Sequence, residues 1–182
     1  MKRLFVAIEI PPMVRAQFYG LEEELGVKNS RWVKEENWHV TVLFLGEVEE
    51  EKIYGISEGL MKAAGEMEPF KLILKEARIQ PPGKEARMVW AVFEESKEFL
   101  ELAERVKNKL KKILDVKDSF KDGKTPHITL ARFDGFSGVK AERVKLNGGF
   151  EVREIILMES ELLGGGSRYT EIGSFALKAE NR

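Results

Sequence analysis

The chain is poor in several residue types, and each scarcity excludes a class of protein. It contains no cysteine, which excludes disulfides, thiolate metal sites and cysteine nucleophiles. No apolar run approaches the roughly 20 residues of a membrane span. The short apolar start is interrupted by Glu9, which does not fit a signal peptide. We therefore expect a cytoplasmic protein.

Charge of one sign is also lacking. The formal net charge is −1, so the chain does not suit tight non-specific binding of nucleic acid, and any RNA contact should be a local basic groove. Hydrophobic residues make up 43% and charged residues 34% of the 182 residues. This composition predicts one globular domain over residues 1–182 with a substantial core.

Several catalytic motifs are missing as well. The chain has no G-x-S-x-G elbow and no H-E-x-x-H metal motif. The run Gly164-Gly165-Gly166 is not followed by the lysine of a phosphate-binding loop, so we interpret it as a hairpin turn. We expect no metal and no cofactor.

The chain does contain one short sequence motif that occurs twice. Its only two histidines are each followed two residues later by a threonine, as His39/Thr41 and His127/Thr129, although the chain has only four threonines. The neighbouring residues are apolar and mostly β-branched or aromatic, which predicts strands. On a strand, residues i and i+2 point to the same face. Each copy of the motif therefore places an imidazole beside a hydroxyl.

Two such strands can surround one small anionic group. At neutral pH one imidazole can accept a proton while the other donates one. The threonine hydroxyls can hold the non-bridging oxygens of a phosphate. This division of tasks suits a phosphodiester, in which one oxygen attacks while another leaves in line.

The two copies of this motif resemble the motifs of a known family. The duplicated motif, with the second copy extended from Pro126 to Arg132, resembles the 2H phosphoesterase superfamily. Within it, the chain is similar to the RNA 2′,3′-cyclic phosphodiesterases historically called 2′-5′ RNA ligases. Further matches span nearly the full length and lie at residues 2–9, 31–33, 157–162 and 166–169.

The resemblance implies a fold and a reaction. The fold would be α+β, with two pseudo-symmetric lobes whose antiparallel sheets face a central cleft and whose helices lie outside. The reaction would open a 2′,3′-cyclic phosphate end of RNA to a 2′-phosphate, with His39 as acid and His127 as base. Residue spacing cannot assign the two roles. The reverse reaction, joining such an end to a 5′-hydroxyl, stays open.

Four further side chains are candidates for binding substrate. The resemblance implies that Arg132 holds the phosphate, although its odd spacing from Thr129 would put it on the opposite face of a regular strand. A bend or the end of the strand would return it to the cleft, and the alternative is a surface ion pair. Arg87 and Trp90 lie on a predicted strand and are candidates for RNA binding, with Trp90 stacking on a base. The alternative is that Trp90 is core and Arg87 an edge charge. Tyr169 matches a family position.

Periodicity predicts an element order of β-α-β-α-β-β-α-β-(α)-β-β. The elements before and after residue 95 are comparable, which predicts two α+β lobes. Residues 13–25 have helical spacing up to Gly26, and residues 70–79 and 86–93 should form a hairpin. Ser96 is placed to cap a helix whose basic face we interpret as solvated, with RNA steering as the alternative. We also expect a short helix at residues 139–144 and strands at residues 149–158 and 169–177.

Three other functions remain open. The site would also suit a small cyclic nucleotide or cyclic ADP-ribose phosphate. A second alternative is that the chain is mainly an RNA ligase, and a third is that it is a non-catalytic RNA-binding module. For the main hypothesis the partner is RNA with a 2′,3′-cyclic phosphate end, for which tRNA fragments are one candidate, and the protein is expected to be a monomer.

Overall fold

A computed structural model describes residues 1–83, 85–114, 125–133, 138–164 and 166–178. Ten strands and four helices make up its regular structure in these ranges. The strands are β1 (Lys2–Glu9), β2 (Ser30–Trp32), β3 (His39–Val48), β4 (Phe70–Gln80), β5 (Met88–Phe93), β6 (His127–Phe133), β7 (Arg143–Lys145), β8 (Gly149–Val152), β9 (Glu154–Leu163) and β10 (Gly166–Ala176). The helices are α1 (Pro12–Arg15), α2 (Leu21–Leu25), α3 (Ile53–Gly65) and α4 (Lys97–Leu110).

The strands form two antiparallel sheets, which we call lobe 1 and lobe 2. Lobe 1 has the strand order β10-β9-β1-β3, and lobe 2 has the order β2-β6-β5-β4-β7 with β8 also paired to β4. Helix α3 packs on β9 and β10, and α4 packs on α3 and β3. The predicted α+β fold with two antiparallel sheets is confirmed.

The lobes are not the two halves of the chain. Lobe 1 combines the N-terminal strands β1 and β3 with the C-terminal hairpin of β9 and β10, whereas the middle of the chain supplies most of lobe 2. The predicted division near residue 95 is therefore wrong. The reason is long-range pairing: β9 lies against β1, with Leu4 opposite Glu159.

The segment from residue 149 to 158 is also not one strand. It forms β8 and β9, which are separated by Arg153 and belong to different lobes. Strand β8 pairs with β4, and β9 pairs with β1 and β10. The change of sheet occurs at the charged residues Arg153 and Glu154, which separate the half-buried strand β8 from the buried start of β9.

Two predicted helices differ from the structure. The helix over residues 13–25 is broken into α1, a 3₁₀ turn and α2, because Gly20 has a left-handed φ of +83°. Gly26, with φ of +63°, ends α2 as expected. The helix expected at residues 139–144 is absent, and β7 begins there at Arg143.

Other local predictions are confirmed. Strands β4 and β5 form the expected antiparallel hairpin, and β9 and β10 form another around the glycine run, of which Gly165 lies outside the described residues. The Ser96 hydroxyl accepts a hydrogen bond from the Phe99 N–H at 3.1 Å and caps α4. Among the described helices, none is long and apolar enough to cross a membrane.

Candidate active site

The two motif strands bring both histidines to one cleft. Strand β3 carries His39 and Thr41 in lobe 1, β6 carries His127 and Thr129 in lobe 2, and the two strands approach each other. All four side chains are half-buried. The imidazoles are near enough that the charge of His127 lowers the pKa of His39. The structure thus brings together the two histidines that the sequence places 88 residues apart.

Both imidazoles are held by the same kind of hydrogen bond. The Nδ1 atom of His39 lies 2.7 Å from the Asn37 carbonyl oxygen, and that of His127 lies 3.0 Å from the Thr125 carbonyl oxygen. A carbonyl oxygen only accepts hydrogen bonds, so Nδ1 carries the proton in both rings. Each Nε2 is therefore the atom that gains or loses a proton.

His39 lies in an aromatic environment. Its ring contacts Phe5 at a centroid distance of 4.8 Å and the edge of Tyr169 at 5.2 Å. Its Nε2 lies 3.1 Å from the Thr41 hydroxyl. Burial lowers the pKa of His39 below the usual 6.5, the charge of His127 lowers it further, and the hydrogen bond to Asn37 opposes both effects. Before substrate binds, these surroundings favour the neutral ring.

His127 is supported differently. Its ring stacks on Trp90 with a centroid distance of 3.8 Å and an interplanar angle of 19°. Trp90 is only 7% exposed, so one side of its indole packs against the imidazole inside the protein. The preceding Pro126 is buried, and its carbonyl accepts a hydrogen bond from the Phe93 N–H at 3.0 Å. The stacking of Trp90 on an RNA base remains a prediction.

A β-bulge follows the threonine in each motif. On β3, Thr41 lies opposite Ala7 while Leu43 lies opposite Val6, so Val42 is an extra residue. On β6 the same shift makes Leu130 the extra residue, with Thr129 opposite Trp90 and Ala131 opposite Val89. A bulge changes the alternation of side chains between the two faces of a strand.

The bulges decide the position of the residue five places after each histidine. Arg132 pairs with Met88, which shares a face of β5 with Trp90, so the guanidinium returns to the cleft face of lobe 2. Its Nη1 lies 3.4 Å from the Met88 sulfur. For the same reason Phe44, opposite Phe5, lies on the cleft face of lobe 1. Phe44 is 58% exposed, which is unusual for so large an apolar side chain.

Two residues near the site, Phe44 and Asn37, were not predicted from the sequence. The signal for Phe44 was present, because it follows His39 at the same offset as Arg132 follows His127. The role of Asn37 was not visible, since its amide donates a hydrogen bond to the Ser167 carbonyl at 2.9 Å, across 130 residues.

The remaining candidates lie at different places. Tyr169 is half-buried against His39 and Phe5, with ring centroids 5.2 and 5.0 Å away. Arg87 is exposed just before β5, and its contact with RNA stays a prediction. On the basic face of α4, Arg105 and Lys109 form ion pairs with Glu66, which agrees with a solvated helix face.

One groove of the described surface lies away from the two histidines. It lies between the end of β1 and strand β8, and its walls carry Arg15, Arg153 and four glutamates, namely Glu9, Glu35, Glu151 and Glu154. Four carboxylates disfavour a phosphate ligand. We therefore place the candidate site at the motif strands, where hydroxyls, imidazoles and Arg132 converge.

Comparisons with known proteins agree with this fold and motif. The family model described as LigT like Phosphoesterase matches residues 8–90. The RNA 2′,3′-cyclic phosphodiesterase of Archaeoglobus fulgidus is 35% identical over 179 residues, covering 95% of this chain and 99% of the relative. The chain belongs to the LigT-like phosphoesterase family. The resemblance drawn from the duplicated motif is confirmed.

Two solved structures have the same architecture. The crystal structure of TT0787 from Thermus thermophilus superposes with a TM-score of 0.87 at 28% identity, covering 98% of this chain and all of the other. The structure of E. coli LigT complexed with 3′-AMP gives a TM-score of 0.79 at 27% identity and covers 98% and 99%. The match to the family model includes His39 and Thr41, whereas the second motif lies beyond its last residue.

Proposed function

We propose that the protein hydrolyses the 2′,3′-cyclic phosphate end of RNA to a 2′-phosphate. The observation that carries the proposal is the pair of imidazoles on facing strands, in which each Nδ1 donates to a backbone carbonyl so that Nε2 is the atom that gains or loses a proton. Relatives named RNA 2′,3′-cyclic phosphodiesterase support the substrate class. One bilobed domain over residues 1–182 supplies both histidines, so we propose that a monomer suffices.

The reaction needs one proton acceptor and one proton donor. One Nε2 takes a proton from water as the water oxygen bonds to phosphorus, and the other Nε2 gives a proton to the departing ribose 3′ oxygen as the P–O3′ bond breaks. Base and acid must lie on opposite sides of phosphorus for in-line attack. Two strands facing each other from separate lobes suit this requirement.

The family resemblance assigns the acid to His39 and the base to His127. The burial of His39 works against its charged form, so the acid role requires the anionic phosphate to raise the pKa of His39 on binding. The hydroxyls of Thr41 and Thr129 can donate to the non-bridging oxygens. Arg132 can hold the same oxygens through its planar guanidinium.

The same pair of imidazoles can run the reaction backwards. If a 5′-hydroxyl of RNA replaces water, the two proton transfers join two RNA ends through a 2′-5′ linkage. Product analysis with a 5′-hydroxyl acceptor tests this reverse activity separately from hydrolysis.

The direct test is incubation with an oligonucleotide that ends in a 2′,3′-cyclic phosphate. We expect hydrolysis that survives EDTA, because proton transfer by two imidazoles does not need a metal. Phosphorus NMR of the product should show a 2′-phosphate alone, since a fixed ribose turns only one oxygen towards the acid. A 3′-phosphate or a mixture would contradict this orientation. Binding of the oligonucleotide without turnover would instead support a non-catalytic RNA-binding module.

A further inference from the structure

A second group of cationic side chains lies on lobe 2, away from the two motifs. It consists of Arg78 on β4 and Arg143 and Lys145 on β7, and we call it the second basic cluster. None of these residues takes part in the proposed acid–base chemistry. Their placement in the sheet relates them directly to the candidate active site.

The strand register places this cluster on the cleft face. Arg78 pairs with Trp90, and Trp90 pairs with Thr129, so all three side chains point to the same side of the sheet. The neighbouring Ala77 is fully buried on the other side. Arg143 pairs with Arg78 and extends the row to the next strand. Neighbouring strands are about 4.8 Å apart, so β4 and β7 lie about 10 and 14 Å from β6.

The charges in the cluster do not cancel. The carboxylate of Glu76 lies 3.3 Å from Arg78 Nη1 and 3.6 Å from Arg143 Nη1, and Lys145 lies opposite Glu76 in the register. Two guanidinium groups therefore share one carboxylate, and a third cationic side chain lies on the same face. The Glu76 side chain is only 13% exposed, whereas that of Arg143 is 64% exposed. Glu76 orients the two guanidinium groups and leaves donors of Arg143 towards solvent.

Protection of the sheet edge explains only part of this arrangement. Strand β7 is a short edge strand, and charged residues at an edge prevent pairing with other chains. Edge protection accounts for Arg143 and Lys145. It does not account for Arg78, because β4 lies inside the sheet between β5 and β7. Within the described part of the chain, the buried Nε of Arg78 has no hydrogen-bond partner.

We propose that the second basic cluster binds the phosphodiester on the 5′ side of the substrate's terminal nucleotide. This inference rests on the proposed function and specifies its substrate as an oligonucleotide. A cyclic mononucleotide has a single phosphate, which the histidines and threonines occupy. Only a longer RNA carries a second phosphate that reaches Arg78 and Arg143, and guanidinium groups bind phosphate with two parallel hydrogen bonds. The cluster therefore favours RNA ends over cyclic mononucleotides.

The test compares two substrates in matched variants. The value of kcat/KM is measured for 2′,3′-cyclic AMP and for a trinucleotide that ends in a 2′,3′-cyclic phosphate. We expect Arg78→Gln/Arg143→Gln to lower the ratio of the trinucleotide value to the mononucleotide value by roughly tenfold, mainly through KM. The dependence of log(kcat/KM) on log[salt] for the trinucleotide should become shallower by about one for each phosphate that the variant no longer binds. Arg153→Gln, an exposed change between β8 and β9, should leave the ratio at the wild-type value.

The outcomes separate this inference from the proposed function. If the wild-type protein hydrolyses neither substrate, the proposed function fails. If it hydrolyses both and the double variant keeps the wild-type ratio, the second basic cluster does not bind RNA. An equal loss on both substrates also keeps the ratio and would indicate a structural role. Arg143→Gln alone, at an exposed position, gives the same test if the double variant does not fold.

Discussion

The two motif strands share a backbone and differ in chemistry. In both β3 and β6 the histidine donates from Nδ1 to the carbonyl two residues earlier, and a bulge follows the threonine. Five residues after the histidine, however, lobe 1 presents the exposed ring of Phe44 and lobe 2 presents Arg132. The two motif strands thus share one backbone geometry but form an apolar wall of the cleft in lobe 1 and a cationic wall in lobe 2.

This difference between the two walls should orient the substrate in the cleft. The phosphate oxygens carry the negative charge of the substrate and should turn towards Arg132, while the apolar faces of the ribose and base should turn towards Phe44. If both walls were equivalent, the substrate would bind in two orientations and give two products. The asymmetry therefore supports the expectation of a single regioisomer.

The two lobes also position their histidines by different means. Just before β6, Pro126 restricts Thr125 to extended conformations, which directs the carbonyl that accepts from His127. In β3 no proline precedes His39, and the Asn37 carbonyl is held by a 3₁₀ turn and by the amide hydrogen bond to Ser167 on β10. His127 is therefore positioned by a local sequence feature, whereas the position of His39 depends on tertiary structure.

Removing either histidine tests whether both lobes are needed. We expect His39→Ala and His127→Ala each to lower kcat by at least ~10²-fold, because each imidazole carries one proton transfer. Hydrolysis of a cyclic-phosphate oligonucleotide measures the effect, and circular dichroism checks the fold. A variant that keeps more than about a tenth of the wild-type rate would contradict paired acid–base catalysis.

The cationic wall should matter next. Arg132→Ala should lower kcat/KM by roughly 10–100-fold, as expected for a charged hydrogen-bonding group of about 1.5–3 kcal/mol. Arg132→Lys should restore part of the loss, because it keeps the charge but not the two-point geometry. Steady-state kinetics on the same oligonucleotide give both values.

The matched change in lobe 1 is Phe44→Ala. We expect it to raise KM only a few-fold, since it removes apolar contact of about 1 kcal/mol from an exposed position. Equal effects of Arg132→Ala and Phe44→Ala on kcat/KM would refute the division of the cleft into an apolar and a cationic wall.

The difference in positioning predicts a smaller effect for Asn37. Asn37→Ala removes the hydrogen bond to Ser167 but keeps the carbonyl that accepts from His39, so we expect a loss of up to about tenfold in kcat with little change in KM. Nitrogen NMR should show less of the Nδ1-protonated form of His39. Asn108→Ala, an exposed change on α4, is the control. An unchanged NMR spectrum of His39 in Asn37→Ala would contradict the positioning role.

The smallest expected effect is on stability. Burial lowers the pKa of His39 in the folded chain, so the unfolded chain binds more protons between that lowered value and the usual 6.5. The contribution to stability is fully present above pH 6.5 and is lost as the pH falls through the folded value. As the pH is lowered from about 7.5 to about 5, across the ordinary histidine pKa, the free energy of unfolding measured in urea should therefore fall more steeply in the wild type than in His39→Gln. Equal slopes would contradict the lowered pKa.

Local spacing predicted much of the candidate site. The alternation of side chains on a strand put His39 beside Thr41 and His127 beside Thr129, and Ser96 was recognised as a helix cap from its position alone. Arg132 was harder, because its odd offset from Thr129 puts it on the opposite face of a regular strand, and only the bulge at Leu130 returns it to the cleft face. A bulge depends on the partner strand, and single-strand periodicity does not contain it.

The sequence by itself determined the duplicated motif, the two motif strands and the family of the protein. These follow from covalent spacing and side-chain type, which tertiary contacts do not alter. Only the tertiary structure decided that β8 and β9 belong to different lobes, that Trp90 supports His127, and that Arg78 shares a face with Thr129. Each of these depends on pairing between distant strands, because the register of two strands is set by the surfaces they bury together.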